Sequence, residues 1–415
     1  MASVTPPRGM RDFTPAVKAH RERVLARIRA SYRAHGFDEI ETPVVEESSR
    51  LSAGLGGDNE KLAFGVLKRG LTREDLAAAE STADIIDMGL RYDLTVPLTR
   101  FYATNRAELP PVFRAIQIAP VWRAERPQKG RFRQFVQCDI DIIGEAGILA
   151  EAEVLTATLA TLDALGITGT TIRINDRRII NGLLDSLGLT DTESALITLD
   201  KLDKIGAKGV LDELGERGAS DSALATLDAL LSSHSNPTAA PTLAAMTDAL
   251  PAGVAPEAVA ELADIARAIG HAGQIVFDPF LVRGMGYYTG AIFEVAHPDL
   301  GYSLGGGGRY DGMVGTFLGT DVPAVGFSLG FERLVDLVTD DGVEDSQSVA
   351  VLYEPTLSVD DLVAVKKELM AEGLRVRLVQ KTKNTRAVLE QLDRDGFTRY
   401  AFLNQGEPLE WKTLT

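Results

Sequence analysis

The chain has 415 residues, of which 45% are apolar and 25% are charged, and a formal net charge of −16. This length and composition are typical of a globular protein of two or three domains, and they exclude a disordered chain, a collagen and a disulfide scaffold. The single cysteine, Cys138, excludes an intrachain disulfide and a cysteine-rich zinc site. The acidic charge argues against a nucleic-acid coat protein. It still allows a local basic patch, because charges act over about 10 Å in salt.

The sequence lacks the features of a membrane or secreted protein. No run of about 18 apolar residues is present, and Arg8 and Arg11 interrupt an N-terminus that has no apolar signal core. We therefore expect a cytoplasmic protein without a membrane span.

The N-terminal region begins with a helix and an extended segment. Apolar residues at helical spacing predict an amphipathic helix over 16–35, ended by Gly36. The segment 37–47 reads as a strand with Pro43 inside it. Because proline cannot donate to a ladder, we expect this strand at a sheet edge or an interface.

The next region is rich in strands. Residues 113–125 and 132–144 have β character and flank the polar turn 127–131, which predicts a long antiparallel hairpin. A helix over 146–165 and a strand over 170–175 follow.

Residues 176–270 change in character and predict an all-helical insertion, because they are rich in Ala, Leu, Asp and Gly. Between 196 and 270 there are 11 Asp or Glu against 5 Lys or Arg, so the insertion is acidic. A β pattern resumes at 274–296, and 341–347 is a polar linker. Beyond the linker, alternating strands and helices predict a small, mostly parallel sheet.

The most informative stretch is 114–133, in which six lysines or arginines stand against one acid, Glu125. The net charge of +5 is concentrated in the predicted hairpin. Arginines that alternate along strands can project into one cleft and bind phosphates bidentately. The alternative is a solvated basic edge that blocks aggregation.

Arg283 lies among apolar and aromatic residues, where an arginine is either paired internally or held for a ligand anion. Tyr287 and Tyr288 alternate if this segment is a strand, so at most one of them would face a given cavity.

A glycine cluster, 305–312, could cradle a phosphate, but it lacks the lysine and hydroxyl of a P-loop. The alternative is a close-packed turn between strands. Arg333 follows an apolar run near the start of a predicted helix, where an anion could meet backbone N–H groups. An ordinary helix-surface arginine is the alternative there.

Asp93, Asp139 and Asp141 lie within β-rich, largely apolar runs, and buried carboxylates need partners. A ligand amine and imidazole, or internal arginines, could supply them. The five histidines have no metal-ligand spacing, and with one cysteine in the chain we predict no metal site and no Cys/His nucleophile.

Together these segments resemble the class II aminoacyl-tRNA synthetases, and within them the histidyl-tRNA synthetase family. Residues 37–46, with Pro43, resemble motif 1, 121–135 resemble motif 2, and 324–334, which include Arg333, resemble motif 3. Two further segments, LVRGMGYYTG at 281–290 and GGGGRYDG at 305–312, resemble the signatures that are specific to the histidine family.

The resemblance implies an α+β fold, with a six-stranded antiparallel sheet flanked by helices, a helical insertion and a small C-terminal α/β domain. It divides the chain into a first part of the catalytic core (1–175), the insertion (176–270), a second part of the core (271–340) and an anticodon-binding-like domain (346–415).

The resemblance also implies how ATP would bind. Arg123 matches the arginine on the α-phosphate, and Arg283 matches the family's own catalytic arginine at the same phosphate. Arg131 and Arg333 match residues on the distal phosphates. Glu125 matches the carboxylate on the adenine side, and Phe135 the aromatic ring that stacks on adenine.

Further matches concern the other two substrates. The positions that match histidine-binding residues are Asp93, Thr95, Gln137, Asp141, Tyr287, Tyr288 and Tyr310. For tRNA, we expect Arg126 and Gln128 to meet the acceptor end, and Lys381, Lys383 and Arg386 to meet the anticodon side.

The implied activity is the ligation of L-histidine to tRNA(His) through a histidyl-adenylate, with ATP as substrate and Mg²⁺ as its companion ion. A homodimer through the motif 1 region is implied as well. One alternative is a synthetase-like regulatory subunit of ATP phosphoribosyltransferase, which does not aminoacylate. Another is an adaptor that only binds tRNA.

The sequence departs from the family pattern in two features. Gly286 stands where the family usually has an acid, which removes a possible partner for a neighbouring cation. The sequence also ends soon after the last predicted strand, so we expect a slightly short anticodon domain.

Overall fold

The computed structural model describes residues 4–52, 62–127, 130–189, 191–233, 238–239, 242–270, 274–283, 287–339, 348–404 and 406–414. The chain forms two compact units, one of residues 1–11 and 25–338 and one of residues 12–24 and 339–415. No helix of the described ranges is long and apolar enough to cross a membrane.

Helices and strands alternate irregularly through the first 334 residues. A short 3₁₀ turn at Thr82–Asp84 supplements them. In chain order they are α1 (Pro15–Ala34), β1 (Asp38–Glu39), β2 (Val45–Glu47), α2 (Ser48–Ser52), β3 (Phe64–Leu67), α3 (Arg73–Ala78), β4 (Ile86–Leu90), α4 (Thr95–Asn105), β5 (Phe113–Trp122), β6 (Gln134–Ile143), α5 (Leu149–Ala164), β7 (Thr171–Asp176), α6 (Arg177–Ser186), α7 (Thr192–Leu199), α8 (Leu202–Glu216), α9 (Asp221–Ser233), β8 (Thr238–Ala239), α10 (Leu243–Asp248), α11 (Pro256–Ile269), β9 (Ile275–Phe277), β10 (Ala291–Ala296), β11 (Gly305–Arg309), α12 (Asp311–Leu318), β12 (Ala324–Gly330) and α13 (Phe331–Leu334).

A nine-stranded sheet forms the centre of the first unit, and its strand order is β1-β5-β6-β12-β11-β10-β7-β9-β8. From β5 to β7 the sheet has six strands, and each pair of neighbours within these six is antiparallel, which confirms the predicted six-stranded antiparallel core. The sheet is larger than predicted because β1 and β9 extend it as parallel strands and β8 adds an antiparallel edge.

The segment around Pro43 was predicted to be one strand, and this is wrong. It forms two short strands, β1 and β2, which belong to different sheets. Pro43 lies between them, and because it has no N–H the ladder cannot continue through it. Each strand lies at the end of its sheet, as expected for an edge.

The glycine cluster is not a turn between strands. Gly305–Arg309 is itself strand β11, paired with β10 on one side and with β12 on the other. Its glycines therefore lie near the middle of the sheet, on a surface that other side chains can approach closely.

Six helices, α6 to α11, lie between β7 and β9, where an all-helical insertion was predicted. The description as all-helical is wrong in one detail, because the two-residue strand β8 pairs with β9. Helix α6 begins at Asp176, whose side chain accepts a hydrogen bond from the N–H of Arg178.

The second unit contains the C-terminal α/β pattern. Its elements are β13 (Ser348–Tyr353), α14 (Val359–Ala371), β14 (Arg375–Gln380), α15 (Thr385–Arg394), β15 (Arg399–Leu403) and β16 (Lys412–Thr413). Strand β13 is parallel to both β14 and β15, and β16 adds an antiparallel edge, so the mostly parallel sheet is confirmed. The predicted linker, 341–347, lies outside the described residues, and the bounds of the four predicted domains stay predictions.

Candidate active site

A cleft of about 810 Å³ opens on one face of the central sheet, and residues of β6, β11 and β12 line it. The cleft brings together, from distant parts of the sequence, every residue that was predicted to bind ATP or histidine. These residues are Asp93, Thr95, Arg123, Glu125, Arg131, Phe135, Gln137, Asp141, Arg283, Tyr287, Tyr288, Tyr310 and Arg333.

Strand β6 forms the floor of one half of the cleft. Gln137, Asp139 and Asp141 alternate along it and therefore face the same side. The hydroxyl of Tyr310 donates to Oδ1 of Asp141 at 2.6 Å, while Oδ2 of Asp141 is buried and has no partner within the described ranges. Gly326 on β12 lies beside Asp141, and a Cβ there would stand 1.9 Å from Oδ1. The carboxylate therefore fits only because this neighbour is a glycine.

Three buried carboxylates meet in this half of the cleft. Burial raises the pKa of Asp93 to about 6 and that of Asp141 to about 7. Burial, and then the charge of Asp141, hold the pKa of Asp139 well above its usual range. In the described part of the chain, their hydrogen-bond partners are backbone N–H groups, hydroxyls and an amide, not an arginine. Their arrangement leaves charge for a cationic ligand to neutralise.

The other half of the cleft is cationic. Nε of Arg123 donates to the carbonyl of Tyr92 at 2.9 Å, and its Cζ lies 5.1 Å from the centroid of the Phe135 ring. Arg333 donates to the carbonyls of Gly130 and Ser303. Burial, followed by the charges of neighbouring arginines, lowers the pKa of the Arg333 guanidinium. Arg131 lies 3.8 Å from a carboxylate oxygen of Glu125. Arg123 and Arg333 donate to carbonyls instead, and clustered arginines of this kind are a site for a polyanion.

Arg283 lies in the same cleft and is paired internally, which is the first of the two alternatives for it; its role towards a ligand anion stays a prediction. Its Nη1 contacts the carboxylate of Glu294 and lies 3.5 Å from Oγ of Ser303. Glu294 also accepts from Arg173 at 3.2 Å, and Arg173 holds Asp278 at 2.7 Å. Arg173 also lies 3.5 Å from Asp203, so Arg173 and Arg283 together face three carboxylates, and Glu294 is held by both arginines.

The two adjacent tyrosines were predicted to face opposite sides, and this is wrong. Tyr287 and Tyr288 precede β10 in a turn rather than in a strand, and both line the cleft. Their ring centroids are 4.9 Å apart, and the Tyr310 ring lies 5.8 Å from that of Tyr287. Three phenols thus form one wall. The departure at Gly286 falls outside the described residues.

The structure does not test the predicted contacts with tRNA. Arg126 is exposed beside it, and Gln128 lies outside the described residues. Lys381, Lys383 and Arg386 are exposed residues of the second unit. Lys381 pairs with Glu354 at 2.6 Å, and Arg386 pairs with Glu390 at 3.0 Å.

Several residues that line the cleft were not predicted from the sequence. The alternation along β6 was enough to find Asp139, but nothing in the sequence near Glu294 or Tyr302 marks them. Helices of the insertion also reach the cleft, where they contribute Glu193, Asp200, Asp203 and Lys204. Within the described ranges, no three His, Cys, Asp or Glu side chains are grouped so that they could hold a metal ion.

The antiparallel core and a cleft divided between arginines and carboxylates are what the resemblance predicted for a class II aminoacyl-tRNA synthetase. A family profile described as histidyl-tRNA synthetase matches residues 9–334. A histidine--tRNA ligase of Leifsonia xyli is 58% identical over the full length of both chains. The chain therefore belongs to the histidyl-tRNA synthetase family.

Solved structures agree on the fold. A histidyl-tRNA synthetase from Nostoc sp. superposes with a TM-score of 0.78 at 25% identity, covering 100% of this chain and 95% of that one. A structure from Bacillus halodurans, titled as an ATP phosphoribosyltransferase regulatory subunit/histidyl-tRNA synthetase, gives 0.75 at 21% identity, with 96% and 97% covered. The second likeness concerns the fold alone.

Proposed function

We propose that the chain ligates L-histidine to tRNA(His) with ATP as the second substrate, through a histidyl-adenylate. The observation that supports this best is the division of one cleft into a cationic half and a carboxylate half. A triphosphate fits the first half, and an amino acid with a cationic α-ammonium group fits the second.

Adenylation would be an in-line displacement. The carboxylate of histidine attacks the α-phosphorus of ATP, and pyrophosphate leaves. Negative charge builds on the phosphate oxygens, so positioned cations supply most of the stabilisation. Arg123 and Arg283 act on the α-phosphate, and Arg333 and Arg131 hold the distal phosphates. Adenine stacks on Phe135 beside Glu125.

The amino acid occupies the carboxylate half. Asp93 and Thr95, at the start of α4, take the α-ammonium group, together with Gln137. Asp141 and the tyrosine wall take the imidazole ring. A site built from buried hydrogen-bonding groups rejects analogues that leave those groups unpaired.

Magnesium would arrive with the nucleotide as part of the substrate. Mg²⁺ in nucleotide sites is held largely by phosphates and water, with one or two carboxylates. We assign no side chain of this chain to it.

The second half-reaction transfers the histidyl group to the terminal ribose of tRNA. We propose that the loop around Arg126 and Gln128 meets the acceptor end, and that Lys381, Lys383 and Arg386 meet the anticodon side. A homodimer through the region of Pro43 and a cytoplasmic location complete the proposal.

The test is histidine-dependent exchange of labelled pyrophosphate into ATP, followed by charging of tRNA(His). A histidine--tRNA ligase performs both reactions. A regulatory subunit of ATP phosphoribosyltransferase and a tRNA adaptor perform neither, so the absence of exchange by the folded protein would overturn the proposal.

A further inference from the structure

Asp139 is a buried carboxylate on the cleft floor that has no role in the proposed reaction. It lies between Gln137 and Asp141 on β6 and is 3% exposed. It accepts a hydrogen bond from the hydroxyl of Ser328, its register partner on β12, and one from the amide of Gln137 at 3.4 Å. Its side chain is therefore held in place at the centre of the amino-acid half.

Two further atoms beside Asp139 indicate that this floor is built for a ligand. Oε1 of Gln137 and Oδ2 of Asp141 are buried, and they have no hydrogen-bond partner among the residues that the structure describes. Both residues line the cavity, with 7% and 2% of their surfaces exposed. Buried acceptors are normally satisfied, so these two call for a ligand that is rich in N–H donors.

The charges around Asp139 do not balance without such a ligand. The ionisable groups that face it, taken from every neighbouring element, are Asp93, Asp141, Arg123, Tyr32, Tyr288 and Tyr310. This set contains two further carboxylates and one guanidinium, and the Nε of that guanidinium already donates to the carbonyl of Tyr92. Three neighbouring carboxylates that are this deeply buried cannot all stay ionised, so at least one holds a proton.

We propose that Asp139 is a third carboxylate of the amino-acid subsite, which holds a proton in the free protein and releases it when the α-ammonium group of the substrate enters. The proton passes from the carboxyl group to the buffer, and no covalent bond to the amino acid forms. The ammonium group replaces the proton as the positive charge beside the carboxylate. This inference rests on the proposed function, since it takes histidine as the ligand.

A pH dependence follows from this exchange. Binding lowers the proton affinity of Asp139, so the apparent affinity for histidine rises as the pH rises. The rise is about ten-fold per pH unit over the range in which one proton is released per ligand. The affinity stops rising at the pH above which Asp139 is already ionised in the free protein.

The experiment is calorimetric titration of the full chain with L-histidine in two buffers of different ionisation enthalpy, which counts the protons exchanged on binding. In Asp139→Asn, which imitates the protonated acid, we expect about one proton fewer to be released per histidine than in the wild type. Asp176→Asn is the matched control. That carboxylate is equally buried but caps α6, pairs with Arg178 and does not line the cleft, so its loss should leave the count unchanged.

A second variant keeps the test decisive if Asp139→Asn fails to fold or to bind. Ser328→Ala removes a donor that favours the ionised form of Asp139, so the pH of half-maximal proton release should move upward. An unshifted profile in Ser328→Ala, or a wild-type proton count in Asp139→Asn, would overturn the inference. Failure of the wild-type chain to bind L-histidine would instead overturn the proposed function.

Discussion

The guanidinium of Arg283 lies against the backbone of Gly306, so closely that a Cβ at Gly306 would stand 2.7 Å from Cζ of Arg283. Gly306 is the register partner of Glu294, which is in turn the partner of Arg173. The three residues form one row across β11, β10 and β7. Arg283 fills the gap that the missing side chain leaves and contacts Glu294 from there. A glycine in the sheet thus determines where a cation of the cleft can lie.

Replacement of Arg283 by alanine should abolish adenylate formation without unfolding the protein. Loss of a positioned cation on a developing charge costs roughly 3–4 kcal/mol, or about 10²–10³ in rate. The fold should survive because Arg173 still pairs with Glu294. Pyrophosphate exchange measures the loss, and Arg267→Ala, at an exposed arginine on α11, is the control. Near-normal exchange by a folded Arg283→Ala protein would remove this residue from the site.

Replacement of Gly306 by alanine should impair the same step while leaving every charge in place. The methyl group would displace the guanidinium, and a displacement of about 1 Å can cost about 10² in rate. Gly312→Ala is the matched control, because a Cβ there meets nothing within 4 Å and the residue lies in α12. Equal exchange activity of the two variants would show that Arg283 does not need its observed position.

Much of the site could be predicted because its residues are unusual for their surroundings. Arg283 stands among apolar residues, and Asp141 and Gln137 share one face of a strand by simple alternation. The partner of Arg283 could not be predicted in this way. Glu294 lies in a largely buried strand, and only the pairing of β10 with β7 and β11 places it beside two arginines.

The errors of prediction have a common cause in tertiary structure. A close-packed turn was one of two alternatives for the glycine cluster, yet Gly305–Arg309 is strand β11, which is held by neighbouring strands on both sides. Tyr287 and Tyr288 were assigned to a strand by their β propensity. They instead lie in a turn before β10, and both line the cleft.

Replacement of Asp141 by asparagine should weaken the binding of histidine selectively. The change keeps the size of the side chain and one acceptor for Tyr310, but it removes the charge that would hold the ring. Loss of a hydrogen bond to a charged group costs roughly 1.5–3 kcal/mol. ATP affinity, measured on the same variant, should hardly move. If the affinities for both ligands fall together with thermal stability, Asp141 stabilises the sheet and does not bind the substrate.

Asp141 should also make the stability of the histidine-free protein depend on pH. Its pKa is about 7 when folded, well above the value of about 3.9 for an unfolded aspartate. Between these values the folded state binds more protons, so the contribution of Asp141 is greatest at low pH and is lost as the pH rises to 7. Relative to the wild type, Asp141→Asn should therefore gain about 1.4 kcal/mol per pH unit across this window and level off above it. Urea unfolding at several pH values measures the difference, and a constant difference would contradict the assignment.

The cations of the second unit should matter for tRNA and not for adenylation. The segment 375–389 carries five lysines or arginines and no acid, in a chain of net charge −16. We expect Lys381→Ala, Lys383→Ala and Arg386→Ala, combined in one variant, to raise the KM for tRNA and leave pyrophosphate exchange unchanged. The unit should stay folded, because the exposed pairs to Glu354 and Glu390 contribute little stability.

Salt dependence separates direct contact with RNA from an indirect effect. Each lost phosphate contact should reduce the slope of log affinity against log salt by about 0.7–0.9. A double variant, Lys366→Ala with Lys367→Ala, removes two charges from α14 of the same unit and serves as the control for net charge. If the control and the triple variant weaken tRNA charging equally, the effect is one of overall charge. If neither weakens it, the segment 375–389 does not bind tRNA.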